Sequence, residues 1–179
     1  MKKLLSMILA LIMLFGFCAF GEAEFEILVE DGVAITNELI VEYGYDYYST
    51  EEVALYLYVF WELPPNFLTK DEAYDYGWQS SKGNLWDVVY GLVIGGDRFG
   101  NREGILPTAK GRQYYECDVN YDGGFRDAER IVFSSDGLIY YTGDHYETLE
   151  LLYEGWYGND DGAYTYPPEV YDDYYSYGY

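Results

Sequence analysis

Positive charge is what this sequence has least of. Lys and Arg number 10 against 32 Asp and Glu, with a single His, and the formal net charge is −22 at pH 7. A field of that sign repels nucleic acid and anionic surfaces at long range, so composition taken alone argues against a polyanionic partner. Cysteine is nearly absent, with only Cys18 and Cys117. Beyond the first two dozen residues no stretch is long and apolar enough to span a bilayer.

The N-terminus reads as an export signal. Lys2 and Lys3 precede an apolar run over residues 4–20, and Gly21-Glu22-Ala23 offers small residues at the minus-three and minus-one positions of a cleavage site. Residues 1–23 are therefore expected to be removed, with an uncleaved membrane anchor as the alternative. Cys117 would then be the one cysteine left, so no internal disulfide can form and the exported domain must rely on its core. Eight basic residues would remain (Lys70, Lys82, Arg98, Arg102, Lys110, Arg112, Arg126 and Arg130), all between positions 70 and 130. Such clustering suggests local work for them, against the blander reading of scattered surface charge.

Along the chain, residues 24–48 read as an N-terminal extension, either a pro-segment or an added strand pair. Phe25-Glu26-Ile27-Leu28-Val29 and Val33-Ala34-Ile35-Thr36 flank a Glu30-Asp31-Gly32 turn, as in a hairpin. Residues 49–61 read as a helix: Ser49 and Glu52 form a capping box, and Val53, Leu57 and Phe60 recur at helical spacing before Leu63-Pro64-Pro65. A short second helix is expected after Thr69, boxed by Glu72 and ended by Gly77. Lys70 would occupy its first turn, where the helix dipole disfavours a cation. From residue 93 onward, short β-type runs at 93–94, 113–119, 128–134 and 138–142 are separated by Gly, Asn and Asp. Helices first and strands afterwards imply an α+β domain with an antiparallel sheet. Alternation over 113–119 places Tyr115, Cys117 and Val119 on a core face, and Tyr114, Glu116 and Asp118 outward. Residues 158–179 hold seven tyrosines among Asp, Gly and Pro with no apolar periodicity, and read as an acidic, disordered tail.

From about Ser49 to Tyr153 the sequence resembles barnase and the related guanyl-specific microbial ribonucleases, continuously and without a gap. The resemblance runs through Leu63-Pro64-Pro65-Asn66, Thr69-Lys70, Gly77-Trp78, Ser81-Lys82-Gly83-Asn84-Leu85 and Ile94-Gly95-Gly96-Asp97. It continues through Asn101-Arg102-Glu103-Gly104, Asp118-Val119-Asn120-Tyr121, Gly124-Phe125-Arg126, Arg130-Ile131, Ser134-Ser135-Asp136 and Asp144-His145-Tyr146. It implies a ribonuclease domain over 49–157, with N-terminal helices packed on a five-stranded antiparallel sheet. It also implies a secreted, extracellular and monomeric endoribonuclease that cuts single-stranded RNA 3′ of guanosine, without metal or cofactor. No membrane association is expected once the signal is gone.

The same resemblance implies roles for residues. Glu116 would be the general base and His145 the general acid. Lys70, Arg126 and Arg130 would be the cations around the phosphate, with Asp118 orienting the arginines. Phe99, Gly100, Asn101, Arg102 and Glu103 would form the guanine-reading loop, with Glu103 accepting from the base edge, and Tyr146 and Arg102 would stack on the base. A lone histidine after a strand is more often structural, but its Asp-His-Tyr setting within the wider likeness reverses those odds. Gly100 departs from the small polar residue usual there, and Trp61, Leu92 and Ile105 stand where barnase carries basic residues, so the cationic rim is thinned. A barstar-like inhibitor, which docks an acidic face, is accordingly expected to bind weakly.

One motif competes. Asp118-Val119-Asn120-Tyr121-Asp122-Gly123 with Glu129 in twelfth place fits an EF-hand calcium loop, though its flanks read as strands and Arg126 holds the ninth place. The alternative function is thus an inactive acidic binding or structural protein on a ribonuclease scaffold, possibly one that binds calcium.

Overall fold

The structure, a computed structural model, describes residues 26–155 and Tyr157; the expected signal and the tail lie outside the described residues. Helix α1, Thr50–Phe60, starts at Ser49 with both halves of the expected capping box in place, and ends where Trp61 takes a left-handed conformation. It is apolar almost all round, which suits a helix covered on two sides. Val53, Ala54 and Leu57 pack with Cys117, Val119, Ile131 and Ile139 of the main sheet. Leu55, Tyr56, Val59 and Phe60 pack instead with Ala34 and Val41.

That second partner is a separate antiparallel sheet, β1 (Leu28–Glu30), β2 (Val33–Ile35) and β3 (Ile40–Glu42), in that order. The hairpin expected around Asp31-Gly32 is present. The third strand goes beyond the expected pair, because Ile40-Val41-Glu42 is too short to carry a pattern of its own. Tyr157 returns to this layer: its amide donates to Tyr58 O (3.1 Å) and its hydroxyl to Ile27 O (3.0 Å).

The main sheet has six strands and not five, in the order β4 (Phe67–Leu68), β5 (Val93–Phe99), β6 (Tyr114–Asp118), β7 (Arg130–Ser134), β8 (Ile139–Thr142) and β9 (Glu150–Tyr153). The sixth is the two-residue β4, which pairs with Val93 and Ile94 in parallel and makes the sheet mixed. Helices α2 (Lys70–Asp75) and α3 (Leu85–Val88) and a 3-10 turn at Ser80–Lys82 fill the stretch between β4 and β5. Trp78, Leu85, Val93, Ile94 and Tyr121 form the core beneath them.

Two glycines in β5 shape the face of the sheet beside them. A Cβ on Gly95 would stand 2.6 Å from both the Cys117 Cβ and a Phe67 ring carbon, so nothing larger fits. Gly96, with φ +87°, is the extra residue of a bulge that moves the register from Gly95↔Cys117 to Asp97↔Glu116. The bulge turns Asp97 onto the same face as Glu116.

Candidate active site

The alternation over residues 113–119 separates the faces as expected, but the second face is not open to solvent. Tyr114 is buried with Leu106, Val132, Leu138 and Tyr140, a small core on that side of the sheet. Asp118 is only 2% exposed. Between them Glu116 is largely covered by the groups that bind it. Lys70, at the first position of α2, donates from Nζ to Glu116 Oε1 at 2.5 Å. Tyr146 donates from its hydroxyl to Oε2, also at 2.5 Å. Both oxygens of one carboxylate are thus gripped by donors from opposite ends of the domain.

Lys70 tolerates the unfavourable helix end because two carboxylates face it. Its backbone amide donates to Asp97 Oδ2 (3.0 Å), and its ammonium lies 3.8 Å from the same oxygen. Asp97 thus borders the candidate site, with no role that the sequence pattern assigns it. Its signal lies in Gly95-Gly96-Asp97, whose bulge decides which way the carboxylate points.

One residue pair along β6, Asp118 collects the two arginines. Arg126 donates from Nε (2.5 Å) and Nη2 (2.7 Å) to its two oxygens, a fork-to-fork pair. Arg130 brings Nε to 2.8 Å from Oδ1, an ion pair in which the N–H does not point along a hydrogen-bond direction. Its Nη1 donates to Glu129 O (2.6 Å). Asp118 is therefore a buried counter-ion, not a solvated carboxylate.

Protonation follows from these contacts. Burial pushes the Glu116 carboxyl up, but hydrogen bonds from Lys70 and Tyr146 and the charges of Lys70 and Arg126 outweigh it, and the net direction is down. Tyr146 moves up, through burial first and then through donation to Glu116. The guanidinium of Arg126 loses some basicity to burial and gains more from Asp118, ending above its ordinary value. At neutral pH the group is a carboxylate held by a phenol and cations.

His145 stands exposed at the end of a tight loop, its ring 4.9 Å from that of Tyr146. Both residues have positive φ, 59° and 75°, an uncommon conformation for two successive residues with side chains. Local bonds hold it. Thr142 Oγ1 accepts from the amide of Tyr146 (2.9 Å) and donates to Asp144 Oδ1 (2.9 Å), while Asp144 accepts from the amide and hydroxyl of Thr148 (2.8 and 2.7 Å).

The loop after β5 borders the same group, since Phe99 packs 5.1 Å from Tyr146, ring to ring. Asn101 spends its side chain within the loop: Nδ2 donates to Leu106 O (2.9 Å) and Oδ1 accepts from Leu106 N (3.0 Å). Its part here is to brace the loop. Arg102 and Glu103 are exposed. A Cβ on Gly100 would meet only side-chain atoms of Arg102, at 3.5 Å or more, so a larger residue fits there too. A cavity of about 250 Å³ opens beside this loop, lined by Phe99, Gly100, Asn101, Arg98 and Arg112 among others. Another of about 240 Å³, at Trp61, Tyr115 and Phe133, is lined by the opposite face of the sheet.

The candidate calcium loop has other uses for its ligands. Asp118 holds arginines, Asn120 donates to Thr50 and Glu129, and Glu129 also accepts from Tyr141. The flanks are strands β6 and β7. Among the described residues no three metal-ligating side chains are grouped.

One α+β domain thus brings together Glu116 bound by Lys70 and Tyr146, the Asp118–arginine pair one step along the same strand, and His145 on the loop beside Tyr146. A family model described as ribonuclease matches residues 52–153. Over 100 residues the chain is 56% identical to the ribonuclease of Heyndrickxia coagulans, a match that covers 56% of this chain and 92% of that one. It has the same identity to the ribonuclease of Bacillus intermedius, over 62% of that protein's length. A guanyl-specific ribonuclease, St, of Saccharopolyspora erythraea is 44% identical over 57 residues, 31% of this chain and 56% of that one. The chain belongs to the barnase-like microbial ribonucleases.

Proposed function

We propose that the protein is a secreted endoribonuclease that cuts single-stranded RNA on the 3′ side of guanosine by way of a 2′,3′-cyclic phosphate. Glu116 is the residue on which the reading turns. It is ionised, gripped on both oxygens, and set beside two arginines that a buried aspartate aligns. As base, Glu116 takes the proton of the ribose 2′-hydroxyl; the 2′-oxygen attacks phosphorus; His145 protonates the departing 5′-oxygen. In the second step the roles exchange: His145 takes a proton from water and Glu116 returns one to the 2′-oxygen, leaving a 3′-phosphate. Lys70, Arg126 and Arg130 oppose the charge that builds on the phosphoryl oxygens. These cations supply the charge compensation, so cleavage is expected to persist in a chelator.

Guanine is assigned to the loop Phe99, Gly100, Asn101, Arg102 and Glu103. An exposed Glu103 carboxylate can accept from both N1–H and N2–H of guanine, a pair adenine lacks. Tyr146 and Arg102 flank the base as stacking partners. A barstar-like inhibitor is expected to bind weakly, because an acidic face meets an acidic surface; nanomolar affinity in a titration would overturn that expectation. The experiment for the reading as a whole is a fluorogenic oligonucleotide with one guanosine. The purified protein should cut it, an adenosine replacement should abolish most cleavage, and Glu116→Ala should slow it by two to four orders of magnitude, roughly. No cleavage of either oligonucleotide would favour an inactive scaffold.

A further inference from the structure

The face of β6 that carries the site has a direction. Its residues Tyr114, Glu116 and Asp118 succeed one another at steps of about 7 Å. Tyr114 pairs with Phe99, at the loop assigned to guanine, and Asp118 pairs with Arg130. An RNA strand seated on the proposed site therefore passes from the loop across Glu116 to the arginines, and what lies past the arginines meets the part of the strand that leaves.

Past them lies an aromatic row. The Arg126 guanidinium carbon sits over the Trp78 ring, 5.9 Å from its centroid. Trp78 is buried, and Tyr74 stacks on it with centroids 4.9 Å apart and planes 28° from parallel. Tyr74 remains 51% exposed, so a large part of its ring is open. It also stands four residues after Lys70 on α2, on the same side of that helix as the lysine bound to Glu116. A Cβ on Gly83 would come within 2.8 Å of the Gly124 backbone, so the turn carrying Lys82 packs against the loop carrying Phe125 and Arg126. Helix α2 itself is acidic around Tyr74, with Asp71, Glu72 and Asp75. A phosphate is disfavoured there, whereas an uncharged base is not.

We propose that Tyr74, backed by Trp78, is a stacking platform for a nucleobase of the strand 3′ of the scissile phosphate. The proposal rests on the ribonuclease site described above and adds a subsite to it. Stacking tolerates a negative surface because it needs only the π-face of the base, and so suits a chain with a thin cationic rim.

The test compares three substrates under one reaction: guanosine 3′-(methyl phosphate), whose leaving group has no base, the dinucleotide GpA and the trinucleotide GpApA. Wild type, Tyr74→Ala and Tyr74→Phe are assayed on each, with thermal unfolding checking that every variant is folded. For Tyr74→Ala the expected loss of kcat/KM is about ten-fold greater on the trinucleotide than on the methyl ester, carried by KM, and Tyr74→Phe restores most of it. Equal losses on all three substrates, or a Phe variant no better than Ala, overturn the platform while leaving the active site standing. A folded wild type that turns over none of the three, the methyl ester included, overturns the site and the platform together.

Discussion

Changing Asp118 to Asn probes the group on which the arginines depend. The carboxylate is 2% exposed and meets Arg126 at 2.5 and 2.7 Å and Arg130 at 2.8 Å, and the Arg130 side chain is 4% exposed. Removing one partner of a buried pair costs about 3–5 kcal/mol, since the remaining charge stays out of water. Asparagine keeps one carbonyl acceptor and Arg126 is partly solvated, so the lower end, about 3 kcal/mol, is expected for Asp118→Asn. At roughly 4 °C per kcal/mol for a domain of this size, the midpoint should fall by about 12 °C. Urea and thermal unfolding followed by circular dichroism measure it. Adding Arg126→Gln to Asp118→Asn should cost less than the sum of the two single changes, because one of the two cations left without a partner is removed with it. Activity should fall in Asp118→Asn even at temperatures where it is fully folded, as the guanidinium planes lose their alignment. A loss under about 1 kcal/mol would refute the reasoning, because it would mean the pair is solvated like any surface contact.

Because Glu116 titrates below its ordinary range, it favours the fold above its unfolded pKa, and this contribution is lost as pH falls through the folded value; the acid limb of kcat/KM should lie correspondingly low. Lys70→Met or Tyr146→Phe removes a donor to the charged form and should move that limb to higher pH; an unmoved limb would assign it to another group. Deleting residues 26–46 should leave the ribonuclease domain unfolded or loosely packed at about 25 °C. It uncovers Leu55, Tyr56, Val59 and Phe60, each worth about 1.5–3 kcal/mol of burial, together comparable with the whole stability of a domain. A cooperative transition in the truncated protein at the full-length midpoint would make the extension dispensable. With a net charge of −22, cleavage should lose little between low and physiological salt, or gain. A steep loss in a rate-versus-salt series would mean that the local cations dominate encounter.

Much of the fold is legible residue by residue. Both capping boxes are reciprocal bonds between neighbours three apart, and Ser49 with Glu52 and Thr69 with Glu72 form them as the letters suggest. The alternation that separates Glu116 from Cys117 depends only on strand period. Other features have weak local signals. Phe60 shares a helical spacing with Val53 and Leu57, yet it packs on the opposite side of α1, and the apolar run Tyr56-Leu57-Tyr58-Val59-Phe60 is the trace of a helix covered twice. Strands β4 and β9 are not legible in the sequence; their pairing comes from the neighbours beside them.

By itself the sequence named candidate residues for phosphodiester chemistry through its likeness to the microbial ribonucleases, and marked helices followed by a mainly antiparallel run of strands, because capping boxes and strand alternation rest on side-chain type and spacing within one element. Tertiary structure alone decided that Lys70 and Tyr146 close on Glu116 across separations of 46 and 30 residues. It also decided that Asp97 joins them through a bulge, that Asp118 is buried, and that the N-terminal strands cover α1. Those outcomes depend on contacts between elements, where burial and long-range pairing outweigh any preference a short stretch of chain expresses alone.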